Sequence, residues 1–178
     1  MPAIMKIRMQ VPPQHPPHHL PQIRARLAEE RPVAWSAVEL RALRYLNETN
    51  CPVTPRLFNV ALTDQSKDDY PIPGGYIVVL VMQEVPGVPL VDFWEYDFVK
   101  REKIRAAFRR ALIELLKRKC HHMDPKLDNL IHDEETDTCY ILDYESVWVN
   151  EESEPEKFSD TDYFFWGLAY RSEGKEQF

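Results

Sequence analysis

The chain has 178 residues, a net charge of −7, 44% hydrophobic and 11% aromatic residues, 15 prolines and only 5 glycines. Those proportions exclude wholesale disorder and allow a real core in one ordinary domain or two very small lobes. Glycine is under half the usual ~7%, which argues against a glycine-rich phosphate loop.

The charge is uneven: +3 over residues 1–50, −4 over 51–100, +5 over 101–132 and −11 over 133–178. An acidic chain with an acidic end is a poor non-specific partner for nucleic acid. There is no 18-residue apolar run and no signal-like start, so a soluble cytoplasmic protein without a membrane partner is expected. Cys51, Cys120 and Cys139 are odd in number and lack CxxC spacing, against a disulfide framework or structural zinc.

In chain order, residues 3–9 read as a strand. Ala3, Met5, Ile7 and Met9 share one parity and form the main apolar face, with Lys6 on the other. Residues 12–21 form a proline–histidine loop. A helix is predicted over 35–48, with Ser36 as N-cap, Glu39 completing a capping box, and a stripe of Val38, Leu40, Leu43 and Leu46. Strands follow at 56–62 and in the run GYIVVLVM, and QEVPGVPL reads as irregular.

The clearest helix covers 101–119, with Ile104, Phe108, Leu112, Leu115 and Leu116 on one side and a solvated basic face. Beyond it lie the loop CHHMDPKLDN, a strand-like LIH, the turn DEETDT, the strand CYILDY and an acidic stretch over 150–162. DYFFWGLAYR reads as a final buried helix, with Phe164, Phe165 and Trp166 in the core.

The loop after the 101–119 helix reads His122-x-Asp124-x-Lys126-x-x-Asn129, and Asp143 ends an apolar strand 14 residues later. Each residue alone could be an ordinary turn or cap. Together, in this order of elements, they resemble the catalytic core of the protein-kinase-like superfamily. Asp143-Tyr144-Glu145 resembles the D-x-E of its aminoglycoside/choline-kinase-like branch, and the nearest flavour is the fungal kinase-like proteins. The resemblance touches residues 3–170.

It implies an α+β fold: a small antiparallel N-lobe remnant with one helix (1–83), a hinge (84–87) and a reduced helical C-lobe (88–178). It further implies an ATP- and Mg²⁺-dependent phosphotransferase acting on a small-molecule hydroxyl. Asp124 would orient or deprotonate the acceptor, and Lys126 would steady the transferring phosphoryl group. Asn129 and Asp143 would hold Mg²⁺. Ala3-Ile4-Met5-Lys6 matches the V-A-I-K context, so Lys6 would pair with Glu39 beside the nucleotide. Gln83, Glu84 and Val85 would meet the adenine edge. His122 would pack structurally, and Asp162 would fasten the catalytic-loop backbone.

The sequence departs from that family in having no glycine before Gly74, no A-P-E motif and little room for an activation loop. These departures keep two alternatives open: a pseudokinase-like binding module, or ATP-independent chemistry with Asp124 as base. A strand over 3–9 without its usual neighbours would be a sheet edge, open to self-association or a partner. Metal binding by the six histidines and a Cys120–His121 nucleophile pair are both disfavoured.

Overall fold

The computed structural model describes residues 2–12, 20–29, 32, 34–67, 71–152, 154–172 and 175–177. Most of the proline–histidine loop, including His15, His18 and His19, lies outside them. The chain divides into two compact units, Met1–Val38 with Arg56–Glu84, and Glu39–Pro55 with Val85–Phe178.

The first unit is built on three strands: β1 (Ala3–Met9), β2 (Leu57–Asp64) and β3 (Tyr76–Gln83). The order is β1-β3-β2, antiparallel throughout, with Lys6 opposite Leu80 and Arg8 opposite Val78. The β-branched run of β3 takes the central place, where a strand is covered along both edges. Its Tyr76, Val78 and Leu80 are buried.

The parity of β1 is as expected, but its burial is reversed. Met5, Ile7 and Met9 are exposed, whereas Lys6 and Arg8 are half-covered. They stand beside Leu80 and Val78, so the packed side of the sheet is chosen by β3 and not by β1's own composition. β1 is an edge strand with an apolar outer face.

Polar side chains tie the loops of this unit. The buried Gln10 amide donates to Leu27 O (2.7 Å) and accepts Glu29 N–H (2.9 Å). Gln65 donates to Gln10 O (2.8 Å) and accepts Ile72 N–H (3.0 Å). Arg24, at the end of the short α1 (Pro21–Arg24), donates from Nε to Pro71 O at 2.8 Å.

Helix α2 (Ala34–Glu48) begins two residues before Ser36, so the expected capping box does not form. Ser36 is instead on the buried helix face with Glu39, Leu43 and Leu46, at steps of three and four. Leu40, assigned to the apolar stripe, is only half-buried.

The second unit carries the larger core. QEVPGVPL is not wholly irregular, because β4 (Val88–Pro89) pairs with β6 (Leu130–Asp133), which pairs with β7 (Thr138–Ile141). Gly87 enters β4 at φ +111°, and an added Cβ would lie 2.4 Å from His132 O. Helix α3 (Phe98–Lys117) starts earlier than predicted, because the Asp97 side chain caps Lys100 N–H at 2.8 Å. Its Ile104, Phe108, Leu112, Leu115 and Leu116 are all buried as expected.

The basic side of α3 is not entirely solvated. Arg105 is buried, pairs with Glu102 and donates to Leu168 O at 2.7 Å. Past α3, Cys120–His122 is not loop but strand β5, paired with β8 (Val147–Val149). The expected last helix is a single turn, α4 (Thr161–Phe165), stopped by Gly167 at φ +75°. Trp166 is core, but Phe165 is exposed. A final hairpin joins β9 (Tyr170–Ser172) to β10 (Lys175–Gln177). No helix of the described residues is long and apolar enough to cross a membrane.

Candidate functional site

The loop from His122 to Asn129 is held by its own side chains. Asn129 is buried at the end of a 3-10 turn (Leu127–Asn129), and its Nδ2 donates to Asp124 O at 3.0 Å. Its backbone O accepts Leu142 N–H at 2.8 Å. Asn129 thus ties the Asp124 segment to the strand end just before Asp143. Its amide nitrogen is committed, so what it offers a cation is the carbonyl oxygen.

His122 serves the same loop. Its Nε2 lies 3.1 Å from Leu142 O, and Nδ1 accepts Asp124 N–H at 3.3 Å. A carbonyl on one nitrogen and an N–H on the other select the neutral, Nε2-protonated ring. The ring packs 5.0 Å from Trp166 and 6.0 Å from Tyr144. Burial holds its pKa below the ordinary histidine value, against the upward pull of the Leu142 and Asp143 backbone.

A pH dependence follows from this depressed pKa. The unfolded chain takes up a proton at His122 near pH 6.5, and the native ring resists it. The stability contribution is therefore complete above that pH and falls as pH drops through the native pKa. Urea denaturation between pH 5 and 8 should show this slope, and His122→Phe, which keeps a ring but cannot titrate, should lessen it. Equal slopes in both proteins would remove His122 from this role.

Asp124 and Lys126 are partly exposed and bonded to each other, Nζ to Oδ2 at 2.5 Å. That hydrogen bond lowers the Asp124 pKa and raises that of Lys126. A carboxylate held ionised is a weak base near neutrality. Orienting an acceptor hydroxyl suits Asp124 better than deprotonating it.

Asp143 has a left-handed backbone, φ +60°, which is uncommon for a residue other than glycine and typical of functional turns. Tyr144 is completely buried; its hydroxyl donates to Ile141 O (3.0 Å) and bonds Thr54 Oγ1 (2.8 Å). With Tyr144 turned inward, Asp143 and Glu145 come together on the other side. Carboxylate oxygens of Glu39, Asp143 and Glu145 all lie within 4.8 Å of one another. Hard oxygen donors gathered this closely fit a divalent cation such as Mg²⁺.

Sequence reasoning quoted Glu145 only as part of the D-x-E resemblance and gave it no role in the site. The D-x-E spacing was the available signal, because a buried Tyr144 leaves its two neighbours on one side. Glu39, read as a lysine partner, sits in this carboxylate group of the second unit. Lys6, Gln83 and Glu84 belong to the first unit and Val85 to the second. Lys6 is half-covered on β1. Gln83 N–H donates to Arg56 O (2.8 Å) and Glu84 N–H to Pro2 O (3.3 Å), so these two donors are engaged within the sheet. Val85 is buried.

Asp162 is a correction. Its Oδ2 accepts the nearby Ser159 N–H at 2.8 Å, a local cap in place of the catalytic-loop backbone. All three cysteines are free and buried. Burial pushes the thiols of Cys120 and Cys139 up to about 12, so neither is a nucleophile near neutral pH.

No family model and no curated protein matches this chain. Solved structures do. A crystal structure of WbdD is 19% identical with a TM-score of 0.52, covering 85% of this chain and 30% of that one. A second WbdD structure, described as a bifunctional kinase-methyltransferase, is 18% identical with a TM-score of 0.52 and covers 85% and 29%. The kinase PK-1 of Cydia pomonella granulovirus is 20% identical with a TM-score of 0.48, covering 68% and 42%. This chain spans less than a third of the WbdD chain. At these identities the likeness to WbdD speaks to fold alone, and with the elements described above the fold is α+β and kinase-like.

Proposed function

We propose that this chain is a phosphotransferase that uses Mg²⁺ and ATP and a small-molecule hydroxyl as acceptor. The observation that carries the reading is the gathering of Glu39, Asp143 and Glu145 in the same unit as a loop that stitches Asp124, Lys126 and Asn129 together. Phosphoryl transfer needs little covalent help from a protein. It needs oxygen ligands for a cation, one positive group near the phosphoryl oxygens and a polar group that aims the acceptor.

Asp143 and Asn129, with Glu39 and Glu145 alongside, are the residues that would hold Mg²⁺. When bound, that ion offsets the charge of the phosphates. Lys126 supplies the positive group and Asp124 accepts a hydrogen bond from the acceptor hydroxyl. The assignment of Lys6, Gln83, Glu84 and Val85 to the nucleotide rests on the kinase-like resemblance alone.

Thermal stability with and without Mg²⁺-ATP tests the reading. Wild type should gain Tm with millimolar Mg²⁺-ATP, and Asp143→Asn should lose most of the gain. A ligand at 100 times its Kd adds about 2.7 kcal/mol. No shift in wild type would sink the proposal. A shift without ATP consumption across candidate acceptors would favour the binding module.

A further inference from the structure

The three-stranded sheet of the first unit has an outer face that no role above uses. The register sets Met5, Ile7 and Met9 of β1 beside Val81, Val79 and Ile77 of β3. Directly opposed residues stand on the same side of a sheet. Met5, Ile7 and Met9 are 61%, 53% and 44% exposed, and their β3 neighbours are only half-covered. The next column, on β2, is small and polar: Asn59, Ala61 and Thr63, all exposed. None of these positions is charged, because Lys6 and Arg8 stand on the opposite side with Leu80 and Val78.

Two apolar columns open to water gain by being covered, and a sheet meets that need by packing against another layer. The pattern on this face matches itself. A two-fold axis lying in the face and crossing the strands at Ile7 sets each column on its own copy. Met5 then lies over the partner's Met9, and Ile7 and Val79 lie over the partner's Ile7 and the partner's Val79. At the margin Asn59 lies over the partner's Thr63, an amide against a hydroxyl. The contact has an apolar centre and a polar rim, and no charge meets a like charge.

The outer edge of β1 offers a poorer contact between copies. Antiparallel pairing over the whole of Ala3–Met9 would set Lys6 directly opposite the partner's Lys6, where like charges are destabilising.

We propose that two copies of this chain associate face to face through this side of the sheet. The footprint is three strands about 4.8 Å apart by five residues at about 3.4 Å each. That is at the low end of specific interfaces, so the dimer is a weak one, forming at micromolar concentrations and above. The contact lies within the first unit and does not depend on nucleotide or on phosphoryl transfer.

Sedimentation of the full chain from about 1 to 500 µM reads the association. The weight-average mass should climb from 21.0 kDa toward twice that value. Methyl spectra of labelled methionine over the same range read the face without any variant. Met5 and Met9 should shift with concentration, and Met123, exposed in the second unit, should not. Ile7→Lys brings two ammonium groups together at the axis and should weaken association at least about tenfold. Leu62→Lys is the control. Leu62 is 59% exposed but stands opposite Val78, on the other side of the sheet, so its association should match wild type. Both positions are exposed, so neither variant removes core packing. A mass that stays at 21.0 kDa throughout, a dimer whose Met5 and Met9 methyls do not move, or equal effects of Ile7→Lys and Leu62→Lys would overturn the proposal.

Discussion

Asp124→Asn is expected to lower phosphoryl transfer by about 10²–10⁴-fold, with Mg²⁺-ATP binding and Tm nearly unchanged. The carboxylate is half-exposed and bonds the Lys126 ammonium, so little packing depends on it. Asparagine keeps the shape but loses the charge that holds the Lys126 ammonium and, in the proposed reaction, the acceptor hydroxyl. The measurement is single-turnover transfer of the terminal phosphoryl group to whichever acceptor supports turnover, beside a nucleotide titration. Loss of rate with intact nucleotide affinity places Asp124 on the acceptor side. An unchanged rate would remove it from the chemistry.

The largest expected loss of stability comes from one added methyl group. Gly87→Ala forces a side chain onto a backbone at φ +111°, and its Cβ would meet His132 O at 2.4 Å and Asp133 N at 2.7 Å. Those atoms belong to β6, so relief requires parting β4 from β6 and not merely turning a side chain. The backbone conformation alone costs about 1–3 kcal/mol, and the overlap adds to that. At roughly 2–4 °C per kcal/mol in a chain of this size, Tm should fall by at least about 5 °C. Gly74→Ala is the comparison: φ is also positive, at +77°, but the nearest atom is Ala28 Cβ at 3.8 Å. Equal losses in the two variants would show that the overlap at Gly87 is relieved without cost.

Much of the frame was legible because strong periodic signals survive folding. The apolar run of β3 and the stripe of α3 need only a burying neighbour, and both are buried as expected. The H-x-D-x-K-x-x-N loop was legible as a spacing, and hydrogen bonds through Asn129 and His122 tie its parts together. What failed depended on partners that periodicity does not encode. The apolar parity of β1 is exposed because the central strand decides which side is packed. Ser36 is an interior helix residue because α2 begins two positions earlier. The final helix is one turn long, although its aromatic composition suited a longer one. The D-x-E spacing hinted that Asp143 and Glu145 share a side, but that Tyr144 is wholly inside and that Glu39 joins them are tertiary facts the spacing does not carry.

Tyr144 also limits how this protein can be regulated. Its hydroxyl is anchored to Thr54 and Ile141, and Ile141 N–H is itself fastened to Val53 O at 3.0 Å. Swinging the segment outward would strip a buried phenol of both partners, at about 1–3 kcal/mol for the unsatisfied group alone, and would leave a ring-sized void. The carboxylates on either side are thus mounted on a fixed peg and not on a toggle. On and off states, if the cell imposes them, have to be set by what arrives at the site and not by a flip of the residue between its two acids.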